Sequence, residues 1–463
     1  MAGNNNAIPT ELGTENIGKL LKQYALPAII AQTASSLYNM VDSIFIGQGV
    51  GPLAISGLAI TFPLMNLSTA FGTLVGAGAA TMLSVLLGQQ HYKAANKILG
   101  NVVSLNIIIG ALFMAVSLIF IDPILYFFGA SENTLPYAKE YIRIILYGNI
   151  ITHLYFGLNA AMRSTGNPKK AMALTIFTVV FNTILDPIFI FVLDMGIAGA
   201  AWATVLAQTV AMILVMTHFS NRSHAIHFSK GIIRLHWKVA KTSLVVGMGP
   251  FLMNAAACIV TLFINQQLRD YSGDLGIGAY GICNRFIFMF IMICMGLNQG
   301  MQPIAGYNYG AKLYSRVREV FWKTARLATY VTTLCFVIGV FIPEAAVGIF
   351  THDEELTRIA SDALRILTLV FPIVGFQMIG TNFFQSLGMV KKSIFLSLTR
   401  QLIFLLPCLY ILPLFIGTEG VWFSFTVSDI LSATLTAILI RHTFKKFNRL
   451  KDGEDASILG GQL

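Results

Sequence analysis

A long stretch without charged side chains is the feature that most constrains this chain: residues 53–87 contain no Asp, Glu, Lys or Arg. A helix needs about 20 apolar residues to cross a bilayer, so this stretch can span it with tilt or project beyond it. Of 463 residues, 56% are hydrophobic and 11% are charged, whereas soluble domains carry about 25% charged residues. We therefore expect an integral membrane protein, and not a soluble multidomain enzyme, a disordered chain or a secreted disulfide scaffold.

Charge-poor stretches of this kind recur along the chain and predict twelve transmembrane helices in an all-α protein. The predicted helices cover residues 20–47, 53–87, 98–121, 141–162, 171–193, 195–219, 242–268, 275–310, 327–350, 361–388, 393–417 and 419–440. The predicted organisation is a cytoplasmic N-terminal segment (1–19), a first lobe (20–219), a cytoplasmic linker (220–241), a second lobe (242–440) and a cytoplasmic tail (441–463).

The distribution of basic residues predicts that both termini lie in the cytoplasm. With the termini and the alternate loops placed on one side, that side holds 24 of the 31 Lys and Arg residues, and the opposite loops are rich in acids. Cytoplasmic loops of membrane proteins carry such an excess of Lys and Arg. The net charge of +10 is therefore explained by topology and does not indicate a nucleic-acid partner. We expect a multi-pass protein of the cytoplasmic membrane.

The two predicted lobes repeat each other in the same direction. Corresponding landmarks lie 220–224 residues apart, namely Pro27 and Pro250, Gly72-x3-Gly76 and Gly296-x3-Gly300, Gly166 and Gly388, and Gly196-x2-Gly199 and Gly417-x2-Gly420. Parallel repeats of this kind are related by an axis along the membrane normal, and transporters built from them place the substrate path between the halves near the membrane midplane.

Charged residues deep inside the predicted spans are few, and the candidates among them are Asp42, Asp186, Asp429, Arg285 and Arg400. Each would cost about 2.5–3.5 kcal/mol at the bilayer centre even on an insertion-based scale, so such residues are functional candidates by default. Asp429 and Arg400, on the last two helices, are candidates for a structural ion pair. Arg285 is expected near the outer end of its helix, where a long side chain reaches the interface.

Asp186 has a polar neighbour on the same helix face, because Asn182 lies one turn earlier. Pro187 follows directly and leaves a backbone carbonyl without its helical donor. Carboxylate, amide and carbonyl oxygens suit a hard cation, so a Na⁺ site at Asp42, Asn182 and Asp186 is one interpretation. The alternative is that the same carboxylates bind protons. The residues leave the choice between Na⁺ and H⁺ open.

The acidic pair belongs to the first half alone. Alignment on the prolines places Asn265 opposite Asp42 and Leu406 opposite Asp186. A purely structural role would be needed equally in both halves, so the asymmetry favours a functional role. No enzyme-like cluster of His, Asp and Glu is found, and His153 is expected to be a packed, hydrogen-bonded neutral residue. We expect no cofactor.

With these features the sequence resembles the multidrug and toxic compound extrusion (MATE) family, in its prokaryotic form. The resemblance extends over essentially the whole chain and depends on Tyr38-x3-Asp42 and Asn182-x3-Asp186-Pro187. The supporting motifs are Pro27, Gln48 after Ile46-Gly47, Gly166-Asn167-Pro168 and Gln302-Pro303-x2-Gly306-x3-Gly310.

The resemblance implies a V-shaped two-lobe transporter that acts as a monomer and exchanges inward H⁺ or Na⁺ for outward amphipathic organic cations. It assigns cation coupling in the first lobe to Tyr38, Asp42, Asn159, Asn182, Asp186 and Thr204. Pro27 matches a helix kink that changes shape with protonation in some members.

The chain departs from some members of the family, which carry a cation-binding acid in helix 7 or helix 10. Here those helices offer Asn254, Asn265, Gln377 and Asn382 and no carboxylate in their cores. Coupling is therefore assigned to the first lobe, and polar residues of the second become candidates for the substrate path: Asn254, Asn265, Asn298 and Gln302.

Two alternative functions stay open at this point. A lipid-linked oligosaccharide flippase of the same superfamily would need several basic residues along its cavity, whereas the basic candidates deep inside the spans are Arg285 and Arg400. An integral membrane enzyme would need a clustered catalytic constellation, and the eight His residues form no HxxxH or HExxH pattern. A cation-coupled exporter is the favoured interpretation.

Overall fold

The computed structural model describes residues 10–229, 235–351 and 353–454, and the regular secondary structure in these ranges is helical throughout. The predicted N-terminal segment, linker and tail are each described only in part. Residues 1–9, 230–234 and 455–463 of these segments lie outside the described residues. The basic linker residues Lys230 and Arg234 are among those left out.

The first half of the chain contains six long helical segments. These are α1 (Ile17–Gly49), α2 (Pro52–Gly88), α3 (Tyr92–Ile119), α4 (Leu135–Tyr147 continued by Asn149–Ser164), α5 (Pro168–Pro187 continued by the π-helical turns Ile188–Val192) and α6 (Gly196–Ser220). Two short helices, Glu11–Thr14 and Ile121–Phe127, precede α1 and α4.

The second half repeats this order. Its helices are α7 (Trp237–Gly273), α8 (Leu275–Gly310), α9 (Tyr314–Phe341), α10 (Glu354–Thr368 continued by Phe371–Ser386), α11 (Val390–Leu398, the π-helical turns Thr399–Leu405 and Leu406–Ile416) and α12 (Thr418–Phe447). The short helix Pro343–Gly348 precedes α10, as Ile121–Phe127 precedes α4.

Within the described ranges, nine of these helices are long and apolar enough to span a membrane, and the two parts of α10, bent by 55°, make a tenth candidate. The remaining two segments of the predicted twelve are α1 and α4. The mean hydropathy of α1 is lowered by its amide, hydroxyl and charged side chains, and α4 is interrupted at Gly148. Most predicted limits agree with the structure to within a few residues.

The predicted limits of helix 9 are wrong. The sequence suggested 327–350, whereas α9 is Tyr314–Phe341 and therefore begins 13 residues earlier. The basic residues of this stretch, among them Arg316 and Lys323, were assigned to a loop because they are charged. A lack of charge marks the part of a helix inside hydrocarbon, and a helix can continue into the interface, where its charged side chains reach water.

The internal repeat is visible in the backbone. Residues with positive φ occur in pairs 221 or 222 positions apart: Gly51 and Gly273, Gln90 and Lys312, Gly166 and Gly388, and Gly196 and Gly417. These left-handed residues end or begin corresponding helices, so the same turns recur in the same order. The predicted parallel repeat is confirmed: each half contains six long helical segments, and an even number of membrane crossings brings the second half to the same starting side as the first.

Two helices divide their residues between two compact units. The described residues from Ile30 to Phe251 belong to the first unit, and Gly13–Ile29 and those from Leu252 onward belong to the second. The beginning of α1 thus packs with the second unit, and the beginning of α7 packs with the first. Each change falls within three residues of the repeated proline, Pro27 or Pro250. The units differ at these points from the predicted lobe limits.

Glycines allow these exchanged segments to pack closely. In the second unit, a Cβ placed on Gly296 of α8 would lie 2.6 Å from the Cα of Ile29, and Gly300 meets Ala25 in the same way. In the first unit, a Cβ on Gly78 of α2 would lie 2.9 Å from the backbone N of Gly247 in α7. Small residues let membrane helices approach backbone to backbone, where packing supplies the stability.

We predict that Gly296→Ala destabilises the protein, because the new methyl group would overlap the backbone of α1 and force the helices apart. Overpacking of this kind costs about 1–3 kcal/mol. The control is Gly281→Ala in the same helix, where no atom lies within 4 Å of the added carbon. Thermal unfolding in detergent should show a lower Tm for Gly296→Ala only; equal Tm values for both variants would contradict the packing described.

Candidate functional site

Three helices of the first unit bring a polar group together inside an apolar environment. Tyr38 and Asp42 lie one turn apart on α1, Asn182 and Asp186 lie one turn apart on α5, and Thr204 lies on α6. Asp42 is 5% exposed and Asp186 is 0% exposed. The two sequence motifs, 140 residues apart in the chain, therefore form one buried cluster.

Asn182 is the centre of the hydrogen bonds. Its Nδ2 donates to Asp186 Oδ2 over 2.9 Å, and its Oδ1 accepts from the backbone N of Thr204 over 2.9 Å. The hydroxyl groups of Tyr38 and Thr204 lie 2.8 Å apart, and Thr204 Oγ1 is also 3.1 Å from the carbonyl oxygen of Ala200. Thr204 thereby links α1 and α5 through α6.

The two carboxylates keep part of their bonding capacity unused. Asp42 Oδ1 and Asp186 Oδ1 are buried and have no hydrogen-bond partner among the described residues, and neither side chain forms an ion pair within those ranges. Asp42 and Asp186 are close enough to interact electrostatically. Buried charges are ordinarily paired, so two buried carboxylates without an ionic partner in the described ranges are groups suited to a proton or a small hard cation.

The end of α5 shapes the site locally. Pro187 cannot donate a backbone hydrogen bond, and the five residues after it, Ile188–Val192, form π-helical turns. Such turns are rare and are often found at functional sites. Because Pro187 has no backbone N–H, the carbonyl oxygen one turn earlier lacks its usual helical donor.

Tyr141 of α4 is a member of the site that the sequence analysis missed. Its side chain is buried, and it interacts electrostatically with both Asp42 and Asp186. It packs in an apolar cluster that includes Ile46, Ile190 and Ala200. No sequence motif includes Tyr141, which follows Glu140 and precedes Ile142 in the first part of α4.

Asn159 lies in a different hydrogen-bond group. Its Nδ2 is 3.3 Å from the carbonyl oxygen of Ala171 and 3.3 Å from Thr175 Oγ1, and the hydroxyl of Tyr155 is 3.4 Å away. This group joins α4 to the first turns of α5. The structure therefore does not place Asn159 in hydrogen-bond contact with the Asp42 cluster, to which the family resemblance had assigned it.

The polar residues predicted for the substrate path lie in the second unit and differ in burial. Asn254, Asn265 and Gln302 are half-buried, while Asn298 is buried and its Oδ1 has no partner among the described residues. Gln377 of α10 donates to Ser432 Oγ over 3.1 Å.

The predicted pairing of Arg400 with Asp429 is confirmed. Arg400 Nε lies 2.8 Å from Asp429 Oδ1, with the aspartate side chain 6% exposed. Ser428 Oγ donates to the carbonyl oxygen of Arg400 over 2.9 Å and adds a second link between α11 and α12. The second unit therefore neutralises its buried acid, whereas the first unit leaves two acids unpaired.

His153 is buried, as predicted, and packs against Gly72 and Gly110. Its Nε2 lies 3.1 Å from Ser68 Oγ, which donates to Asn149 Oδ1 over 2.5 Å. This network links α2 to α4, so it is explained by packing of the first unit.

A helical membrane protein built from two parallel repeats has an architecture found among membrane transporters. Comparison with known families agrees. The MatE family matches this chain twice, over residues 27–188 and 247–411, so each repeat is matched separately. The chain belongs to the MATE family.

Relatives and solved structures extend the match to nearly the whole chain. The multidrug export protein MepA of Staphylococcus aureus (strain MSSA476) is 26% identical over 422 residues, covering 91% of this chain and 93% of MepA. MepA of Staphylococcus haemolyticus (strain JCSC1435) is 25% identical over 425 residues, covering 92% and 93%.

Among solved structures, the MATE multidrug transporter DinF-BH in complex with rhodamine 6G is 36% identical, with a TM-score of 0.87, covering 95% of this chain and 98% of that one. An outward-facing MATE transporter of the MOP superfamily is 22% identical, with a TM-score of 0.89 over the same shares of the two chains.

The contrast between the units predicts opposite effects of the same substitution on stability. Asp429→Asn should lower the Tm, because Arg400 loses its ionic partner; hydrogen bonds to charged groups contribute about 1.5–3 kcal/mol. Asp186→Asn should leave the Tm unchanged or raise it, because it removes a charge that has no ionic partner in the described part of the first unit. Thermal unfolding of the two variants in detergent measures the difference, and a larger loss for Asp186→Asn would contradict the assignment.

Proposed function

We propose that this protein is a cation-coupled multidrug exporter, in which inward movement of H⁺ or Na⁺ drives outward movement of amphipathic organic cations by alternating access. The observation that carries the proposal is the pair of buried, unpaired carboxylates Asp42 and Asp186. The MepA proteins are multidrug export proteins by name, and DinF-BH was solved with rhodamine 6G; both support a drug-like substrate.

Asp42 and Asp186 are the residues that take up the coupling ion in this proposal. A proton would bind a carboxylate Oδ atom, and the Asn182 amide would keep its bond to the other oxygen of Asp186. A Na⁺ ion would use both carboxylates, with the amide and hydroxyl oxygens of Asn182 and Thr204 as neutral ligands. Either ion reduces the repulsion between the two carboxylates, so the loaded cluster is more stable than the unloaded one.

Coupling follows from that change in charge. The ion shifts the population of inward-open and outward-open states only if it binds one of them better. Hydrogen bonds join Tyr38, Asn182 and Thr204 across α1, α5 and α6, so a change at the carboxylates is transmitted to all three helices. Pro27 is the proposed site of the accompanying change in α1, since a proline within a helix removes one backbone hydrogen bond and favours bending there.

The proposed setting is the cytoplasmic membrane of a prokaryote, with both termini in the cytoplasm and the monomer as the functional form. The basic loops on one side of the membrane support this orientation. The substrate path is assigned to polar residues of α7 and α8, among them Asn254, Asn265, Asn298 and Gln302, none of which carries a competing charge.

Vesicle efflux with the Na⁺ and pH gradients imposed separately tests the proposal. With rhodamine 6G as the probe, wild-type efflux should follow at least one gradient, and the double variant Asp42→Asn, Asp186→Asn should lose it by more than about tenfold, which corresponds to about 1.4 kcal/mol. The control is Asp194→Asn, an exposed acid just after α5. Gradient-driven efflux that persists in the double variant would rule out this mechanism.

Thr204→Val should weaken ion coupling without removing it. The substitution keeps the shape of the side chain and removes the hydroxyl that contacts Tyr38 and Asn182. One such hydrogen bond contributes about 0.5–1.5 kcal/mol, so the ion concentration for half-maximal efflux should rise up to about tenfold. Thr209→Val is the control, because the Thr209 hydroxyl bonds the carbonyl oxygen of Val205 in its own helix. An equal effect of both substitutions would indicate a general helix defect.

A further inference from the structure

An open groove of about 600 Å³ lies in the second unit, between the first part of α1 and the helices α8 and α9. Its floor is apolar and includes the buried side chains Leu21 and Leu297. Basic residues stand at one end, among them Lys22 and Arg326. The groove is separate from the carboxylate cluster, which belongs to the first unit.

One stripe of α1 forms the first wall. Lys22, Leu26 and Ile29 follow each other at intervals of four and three residues, so they share a helix face. Leu26 is 48% exposed, so its side chain is available for contact with an apolar ligand. Along α1 from its N-terminal end, this stripe therefore presents a basic side chain followed by apolar side chains.

The α9 helix repeats this pattern. Lys323, Leu327 and Tyr330 follow at the same intervals of four and three residues, and Arg326 lies one turn after Lys323. Both helices begin on the predicted cytoplasmic side and run in the same direction, so their cations lie at the same end of the groove. Trp322, next to Lys323 in the chain, is 45% exposed, and Trp is enriched at membrane–water interfaces.

The dimensions match one leaflet of a bilayer. From Lys323 to Val331 the helix rises about 12 Å, and from Lys22 to Ile29 about 10 Å. Half the hydrocarbon thickness of a bilayer is about 15 Å. An acyl chain of a lipid lying along the groove would therefore extend from the interface to near the midplane. The basic side chains would then be at the depth of the lipid headgroup.

The charges favour an anion at that end. Lys22 and Arg326 are exposed and form no ion pair among the described residues. Lys323 pairs with Glu319 over 2.7 Å, both being partly exposed. Such a surface pair contributes little, so it leaves Lys323 able to turn to a stronger partner. An organic cation, the proposed transported substrate, would be repelled here.

We propose that this groove binds an anionic phospholipid of the cytoplasmic leaflet. Lys22, Arg326 and Lys323 hold the phosphate, and one acyl chain lies against Leu26, Leu327 and the floor of α8. Basic pockets between transmembrane helices on the cytoplasmic side are suited to such headgroups. The lipid would join α1 to α9 in the second unit, close to the point where Pro27 carries α1 into the first.

Native mass spectrometry of the full chain tests the proposal. The protein is equilibrated in detergent with equal amounts of dioleoyl-phosphatidylglycerol and dioleoyl-phosphatidylcholine, and retained lipid is counted. Wild type should retain one phosphatidylglycerol in preference. Lys22→Gln with Arg326→Gln should lower that retention about 25-fold, since each cation contributes about fivefold near an anionic lipid.

Two further variants separate the sources of binding. Lys93→Gln with Lys97→Gln removes two exposed cations at the start of α3 and should leave retention unchanged. Leu26→Trp fills the groove, keeps the cations and should also lower retention. The Tm of each variant reports whether it is folded.

The proposal is overturned if the Lys22 and Arg326 variant, folded by its Tm, retains phosphatidylglycerol like wild type. It is also overturned if the Lys93 and Lys97 variant loses as much, which would mean general surface attraction. Competition by soluble glycerol phosphate at the lipid concentration would equally contradict it, because the headgroup alone would then suffice.

Discussion

The close approach of helix backbones at glycine is the constraint on which the rest of this fold depends. In a bilayer, helices gain little from hydrophobic association and must gain stability from packing. Gly296 and Gly300 bring the first part of α1 onto α8 within the second unit, and Gly78 and Gly247 do the same for α7 and α2 within the first. Each shared helix changes unit within three residues of a repeated proline, where its backbone is one hydrogen bond weaker. Because each of these helices has residues in both units, a conformational change of the helix in one unit can alter its part in the other.

The two repeats use this common frame for different purposes. In the second unit, the Arg400–Asp429 ion pair joins α11 to α12 and gives the buried Asp429 an opposite charge. The first unit connects α5 and α6 through Asn182 and Thr204 and leaves Asp42 and Asp186 without an opposite charge among its described residues. Burying carboxylates without an opposite charge costs free energy, and the hydrogen bond from Asn182 to Asp186 does not supply that charge. The cost is understandable if an ion enters and leaves the cluster.

Much of this could be predicted from the sequence, because both the membrane and the repeat leave strong patterns. The charge-free runs gave the helices, and Asn182-x3-Asp186-Pro187 gave the core of the site. Local patterns do not show which distant residues pack together. The electrostatic interaction of Tyr141 with the carboxylates depends on the packing of α4, and the hydrogen bonds from Asn159 to the start of α5 depend on how α4 and α5 approach each other. The start of α9 was misplaced because Arg316 and Lys323 lie in a helical turn at the interface, where charge no longer marks a loop.

The central claim is that the ion which drives transport binds at Asp42 and Asp186. Direct binding to the purified protein in detergent, without any gradient, tests it most simply: radioactive sodium bound at equilibrium, and protons released when rhodamine 6G is added to a weakly buffered solution. Wild type should show one of these two signals, and the double variant Asp42→Asn, Asp186→Asn should show neither while retaining its Tm. Undiminished sodium binding or proton release in that variant would contradict the account and place the coupling site elsewhere in the protein.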